Sequence, residues 1–239
     1  MTNTTQVFEN RTFEDFDDRD SAALFSDVEF RRCHFDGCLV SMTQKPNLRT
    51  TIRNVSLIDC TENGCSIGTA IVENAFIENL KAPGLFQTFG AVFNRVTLRG
   101  RIDRLMITND VLPSVLMVEE DRQREIDTFR HANAKYYSHV EWALDISQGE
   151  FRELEIRGIP SRLIRRDPET QIVVTRERVA ESDWRQLDFS ESLTSFSLNF
   201  LLEEGWPDMV MIAPKRHRKF PLYLEDLQLL RQAGIAEPD

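Results

Sequence analysis

Bulky apolar residues fall five positions apart at Phe25, Phe30, Phe35 and Val40. Two places before each lies a smaller apolar residue: Ala23, Val28, Cys33 and Cys38. The pair returns at Val55/Leu57, Cys65/Ile67, Ala70/Val72 and Ala75/Ile77. A period of five matches neither the helix nor the plain strand, so ordinary amphipathicity does not generate it. Fixed-period self-similarity marks units that cannot bury their own apolar face and must stack to do so. On each side of such a coil the bulky residue and the small one before it point inward, and the other three point outward.

The pattern runs through residues 23–40, 55–80 and 91–98, and continues one residue out of phase at Gly100/Ile102 and Leu105/Ile107. Phe8 and Phe13 open the first side. These residues resemble the pentapeptide-repeat family, whose consensus is a small residue, a polar one, a bulky Leu or Phe, then two mostly polar ones. The resemblance covers residues 8–107 and returns over 142–158, at Leu144/Ile146, Gly149/Phe151 and Leu154/Ile156. It implies a mainly β fold, a right-handed quadrilateral β-helix with a helical insertion and an α/β C-terminal portion. Around Val140, Trp142, Leu144 and Ile146, plain strand alternation competes with a returning coil, and the returning coil is favoured. Three departures stand out. Glu62 takes a bulky inward position beside Gly64, so that corner is expected to open outward or bulge. The phase slips across residues 42–53, where Pro46 suggests a loop, and residues 85–89 read as irregular.

At Val118 the text changes, which divides the chain into a repeat-like part, 1–118, and a helix plus mixed α/β part, 119–239, that continues and caps the first. Residues 119–140 read as a helix with Ile126, Phe129, Tyr136 or Tyr137 and Val140 on one stripe. Glu119, Glu120 and Asp121 complement the dipole at its start. Residues 171–175 and 209–212 read as strands, 180–187 as a helix, a short turn or helix opens at Pro160-Ser161, and Leu187/Phe189 as a further repeat pair. A last helix opens at Pro221 and closes before Gly234. Its stripe of Leu224, Leu227 and Leu230 is either a cap or a dimer seam, and the resemblance implies a homodimer through it.

The chain carries 29 basic and 39 acidic residues, a formal charge of −10, which repels nucleic-acid phosphate and argues against direct nucleic-acid binding. No leader and no apolar run long enough to span a membrane is read, so the expected address is cytoplasmic. No phosphate-cradling glycine cluster and no G-x-S-x-G occur. His34, His131, His139 and His217 show no metal-ligand spacing, and the acidic run Glu14, Asp15, Asp17, Asp18 and Asp20 reads as solvated. No catalytic residue, metal or cofactor is therefore expected. Cys33, Cys38, Cys60 and Cys65 form two C-x4-C pairs that could suit zinc, but all four occupy the small inward position and read as buried free thiols.

Two basic clusters stand against this background: Arg157, Arg162, Arg165 and Arg166, and Lys215, Arg216, Arg218 and Lys219. Guanidinium forks and lysines suit phosphates and carboxylates, so these eight are candidate polyanion contacts. Trp206, near the second cluster, reads as core. The leading expectation is a non-catalytic protein–protein interaction scaffold with an unidentified protein partner, displaying outward residues such as Glu29, Arg31, Arg32, His34 and Asp36. The resemblance implies an alternative, a DNA-mimic inhibitor or protector of a type II topoisomerase. A small enzyme activity in the C-terminal half is the third reading.

Overall fold

Corners set the local structure. In the computed structural model, which describes residues 5–112, 119–189 and 191–238, left-handed backbone recurs every five positions. It occurs at Asn10, Asp15 and Asp20, at Asp27, Arg32 and Gly37, at Asn54, Asp59 and Gly64, at Asn74 and Asn79, and at Gly90, Arg95 and Gly100. Asn, Asp and Gly enter this region at low cost, and each turns the chain onto a new side. The expected boundary at Val118 lies outside the described residues.

Between corners the chain is extended. The first strands are β1 (Gln6–Glu9), β2 (Thr12–Glu14), β3 (Leu24–Arg31), β4 (His34–Asp36) and β5 (Leu39–Val40). Above them lie β6 (Thr51–Ile58), β7 (Thr61–Asn63), β8 (Ser66–Ile67), β9 (Ile71–Glu73) and β10 (Phe76–Glu78). Then come β11 (Phe86–Phe89), β12 (Val92–Asn94) and β13 (Val96–Thr108). All these ladders are parallel, and inward residues stack in register: Phe8 on Phe30, Phe30 on Leu57, Leu57 on Ile77, Ile77 on Leu98. The small positions Cys33, Cys60, Ala70, Ala75 and Ala91 are buried beside this column. Stacked corners are joined by side chains as well. Asn54 donates to Asp27 at 2.9 Å, Asn63 to Asp36 at 2.8 Å and Asn79 to Asp59 at 2.9 Å.

The assembled fold is not the expected closed quadrilateral β-helix. It is mixed α/β, with 37% strand against 26% helix, too much helix for a mainly β chain, and a large parallel sheet forms a half-barrel. Strand length is the reason. β3 and β6 run eight residues and β13 runs thirteen, longer than one five-residue side, so the chain passes bends without breaking its ladder. The separate sheet β2–β4–β7 stops at three strands, whereas the main sheet gathers 13.

Two local expectations are corrected too. Glu62 does not open its corner: it is buried, and the ladder His34↔Thr61, Phe35↔Glu62, Asp36↔Asn63 passes it unbroken. Its Oε2 accepts from the Cys65 amide at 3.1 Å, which satisfies the carboxylate internally. Residues 85–89 are not irregular, since β11 pairs with both β8 and β13.

Helix α1 (Glu119–Tyr137) interrupts the sheet, after which β14 (Leu144–Asp145) and β15 (Gly149–Arg157) return to β13. The register Ile102↔Phe151, Leu105↔Leu154, Ile107↔Ile156 places the returning apolar residues on their counterparts. The buried stripe of α1 is Glu125, Phe129, Asn133 and Tyr137, so two of the four are polar and Ile126 lies to one side. β16 (Ile164–Arg165) pairs with β14.

An antiparallel ribbon of β17 (Gln171–Thr175) and, later in the chain, β18 covers this end. Between them α2 spans Arg176–Glu181, earlier than the helix expected at 180–187, and α3 spans Thr194–Glu204. β18 (Asp208–Ile212) precedes α4 (Phe220–Gln232). Strand alternation lets the ribbon serve two cores. Val173 and Val210 join the core of the parallel sheet, while Ile172, Val174, Met209 and Met211 face a second core with Trp184, Leu198 and Leu201. Leu227 and Leu230 of α4 are sealed in that second core, so the leucine stripe is spent inside the chain rather than on a seam. Phe189, expected in a repeat, is buried there without forming a strand.

Candidate interaction surface

The two ends of the parallel sheet differ. At the C-terminal end β14, β15 and β16 pair beyond β13, and the ribbon covers them. At the N-terminal end β1 pairs only with β3, and β2 only with β4. Residues 24–26 of β3 pair with β6 alone, because the β1 register begins at Gln6↔Val28. Among the described residues no strand pairs with the outer edges of these three segments.

Apolar side chains gather at the same end. Val7 is 54% exposed, Leu24 58%, Phe16 43% and Phe25 36%, half of the eight exposed large apolar side chains among the described residues. Phe16 and Phe25 meet edge to face at 5.8 Å. Behind them half-buried Phe8 stacks on Phe30 at 5.5 Å, and Phe13 on Phe35 at 5.3 Å. These rings are the last members of the column among the described residues. The signal in the sequence is a bulky apolar residue on an outward position, as Val7 beside Phe8 and Leu24 beside Phe25.

The end is acidic. Residues 5–25 hold six acids and two arginines, a net charge of −4. Asp18 is buried, accepting from the Ser41 amide at 3.2 Å and from the Thr50 hydroxyl, which ties the loop 41–50 to this end. Asp17 pairs with Arg19 and Glu9 with Arg32, whereas Glu14 and Asp15 have no ion pair among the described residues. Farther along the sheet, acids alternate with arginines: Glu29 with Arg31, Glu73 with Arg53 at 2.8 Å, Glu78 with Arg99 at 3.4 Å and Glu153 with Arg104 at 2.8 Å. The sheet face is balanced and the open end keeps a surplus of negative charge.

The eight basic candidates are not gathered into one site. Arg157 pairs with Glu155 at 2.7 Å and lies over the Phe200 ring, and Arg165 lies over Trp142. Arg166 donates to the Gln171 carbonyl at 3.5 Å, Arg216 pairs with Asp103 at 2.9 Å and Lys219 donates to the Glu191 carbonyl at 2.6 Å. Lys215 pairs with Asp167 at 2.8 Å, which brings the second cluster beside the turn of the first. Burial alone would raise the Asp167 carboxyl, but hydrogen bonds from Lys215 and Thr170 hold it below the usual carboxylate range. Arg162 and Arg218 are exposed at separate points. Two of these cations, Arg157 over Phe200 and Arg216 with Asp103, tie the C-terminal part to the sheet.

Among the described residues no group of three or more His, Cys, Asp or Glu side chains converges as a metal site would require. All four cysteines are buried and unbridged, and burial pushes the Cys65 thiol up to about 11. One open depression runs along the outer face of α1 with Glu120, Asp127, Thr128 and His131, and another lies between α2 and the C-terminal turn with Glu177, Arg178 and Glu237. In the first, the Thr128 hydroxyl donates to the Arg124 carbonyl at 2.7 Å rather than to His131. No helix among the described residues is long and apolar enough to cross a membrane. Comparison of the chain with protein-family models, with curated proteins and with solved structures finds no match.

Proposed function

We propose that this chain is a non-catalytic protein–protein recognition scaffold that engages its partner at the open N-terminal end of the parallel sheet. One observation carries the reading: three edge segments and the exposed side chains of Val7, Phe16, Leu24 and Phe25 share an end on which no strand among the described residues pairs. An edge strand presents unpaired N–H and C=O groups that template pairing with another chain. Clustered exposed apolar side chains mark contact surfaces. Pairing of sheet-face acids with arginines favours this reading over DNA mimicry, which needs an uninterrupted acidic stripe. Four unbridged thiols support a cytoplasmic address.

The test is parallel affinity capture from the native host with the natural chain and with a Leu24→Lys/Phe25→Glu variant, at low and high salt. Both substitutions fall on exposed positions, and circular dichroism checks that the sheet is kept. A partner held by the natural chain at high salt and released by the variant is the expected result. Equal recovery on both baits refutes the proposal.

A further inference from the structure

We infer that the occupant of the open end is an extended segment of a partner protein, alternating apolar and basic residues, that adds as a strand to β1. This rests on the recognition reading above and names the partner's chemistry.

Register dictates the alternation. Each layer of the sheet places inward residues on inward residues, as Phe8 on Phe30, and outward residues on outward ones, as Val7 on Glu29 and Glu9 on Arg31. A strand added outside β1 therefore sets every second side chain over Phe8, where an apolar group covers the open ring. The intervening side chains fall beside Val7 and Glu9, on the outward face. Along the next side of the same layer lie Glu14 and Asp15, neither of which has an ion pair among the described residues. Lysine or arginine at the outward positions offsets the net charge of −4 carried by residues 5–25. The same charge opposes the simplest competitor, a second copy joined end to end, because that contact sets one acidic end against another within about a Debye length of 8 Å. Main-chain pairing supplies affinity and the alternate side chains supply selectivity, as in other strand additions.

The test uses the full chain and labelled octapeptides, read by fluorescence anisotropy: alternating Lys–Val, alternating Glu–Val, and Lys–Val with alternate backbone amides methylated. Saturable binding of the Lys–Val peptide is expected, with both other peptides at least about tenfold weaker, since each loses two or more favourable contacts. Glu14→Gln/Asp15→Asn weakens Lys–Val binding and flattens its salt dependence, while Phe196→Ser, at a distant exposed position, leaves it unchanged. Equal binding of the methylated or the Glu–Val peptide overturns the inference, and so does an absence of Lys–Val binding. Sedimentation showing a dimer whose formation blocks the peptide assigns the end to a second copy and also overturns it. A captured partner that is lost on the Leu24→Lys/Phe25→Glu bait, yet is not displaced by excess Lys–Val peptide, leaves the recognition reading standing and removes this inference alone.

Discussion

Asn133 offers the sharpest test of how α1 is held. It is fully buried, its Oδ1 accepts from Arg49 Nη2, and its Nδ2 donates to Asn109 Oδ1 and, at 3.4 Å, to the Gly90 and Asn109 carbonyls. Arg49 is itself buried, lies 4.9 Å from the Phe129 ring centre, and has no hydrogen-bond partner at Nε. Burial lowers its pKa to about 10, well below the usual guanidinium range, with Tyr137 and Tyr136 partly opposing. At about 1.4 kcal/mol per pH unit, that fall is about 3 kcal/mol against burying the charged form, and it applies throughout the neutral range.

Replacing Asn133 by Ala removes a charge-assisted hydrogen bond, about 2 to 3 kcal/mol, and neutral amide donation of about 1 kcal/mol, and it strands the guanidinium. The expected cost is about 3 to 4 kcal/mol. Arg49→Met removes the desolvation term but gives up the ring contact, about 2 kcal/mol, and leaves Asn133 Oδ1 unpaired, so it changes stability by no more than about 1 kcal/mol. In the Arg49→Met background, Asn133→Ala loses only the neutral contacts, about 1 kcal/mol. The coupling energy is therefore about 2 to 3 kcal/mol. Urea unfolding of the four proteins measures it, and hydrogen exchange of α1 reports whether the helix opens first in the Asn133 variant. A coupling below about 0.5 kcal/mol, the additive limit, refutes the reasoning.

Glu62→Gln tests the buried carboxyl. Burial raises its pKa, only partly countered by the Cys65 amide and His34, so the wild type is penalised above the folded value and not below the unfolded one, about 4.3. The melting-temperature gain of the Gln variant is expected to be near zero at pH 4 and to grow towards pH 8; the same gain at both values sinks the idea. Gly100→Ala puts a Cβ 2.4 Å from Asn79 Oδ1 at a φ of +66°, while Asn79 Oδ1 is the acceptor for the Arg101 amide. A loss of about 1 to 3 kcal/mol is expected by chemical denaturation, and an unchanged midpoint contradicts the corner geometry. Ellman's reagent at pH 8 is expected to label none of the four cysteines in the folded chain within minutes and all four in urea. Prompt labelling of the folded protein contradicts their burial.

Burial of Cys33 and Cys60 was legible in the sequence because it follows from a local rule. A corner every five residues fixes which side chains turn inward, and size decides which of them pack. The Asn and Asp corner ladder carried a usable signal too, at Asn54, Asp59 and Asn74, Asn79, spaced by five. Closure was not legible. Whether β13 bends or breaks depends on ladders to β10, β11, β14 and β15 together, which no five-residue window contains. Glu62 looked like a defect because its acceptor role needs the Cys65 amide in its folded position. α3 carries apolar residues on most sides and so shows no periodic stripe.

The sequence by itself determined the spacing of corners, the inward set of side chains and the strands that flank α2 and α3, all of which rest on backbone sterics and side-chain size within a few residues. Tertiary structure alone decided which polar groups are buried and which end stays open. Arg49 meets Asn133 across 84 residues, Arg216 meets Asp103 across 113, and among the described residues β1 pairs only with β3 while the ribbon packs at the opposite end. Desolvation is compensated between distant residues, so its outcome is written in the contacts of the folded chain and not in any local stretch of it.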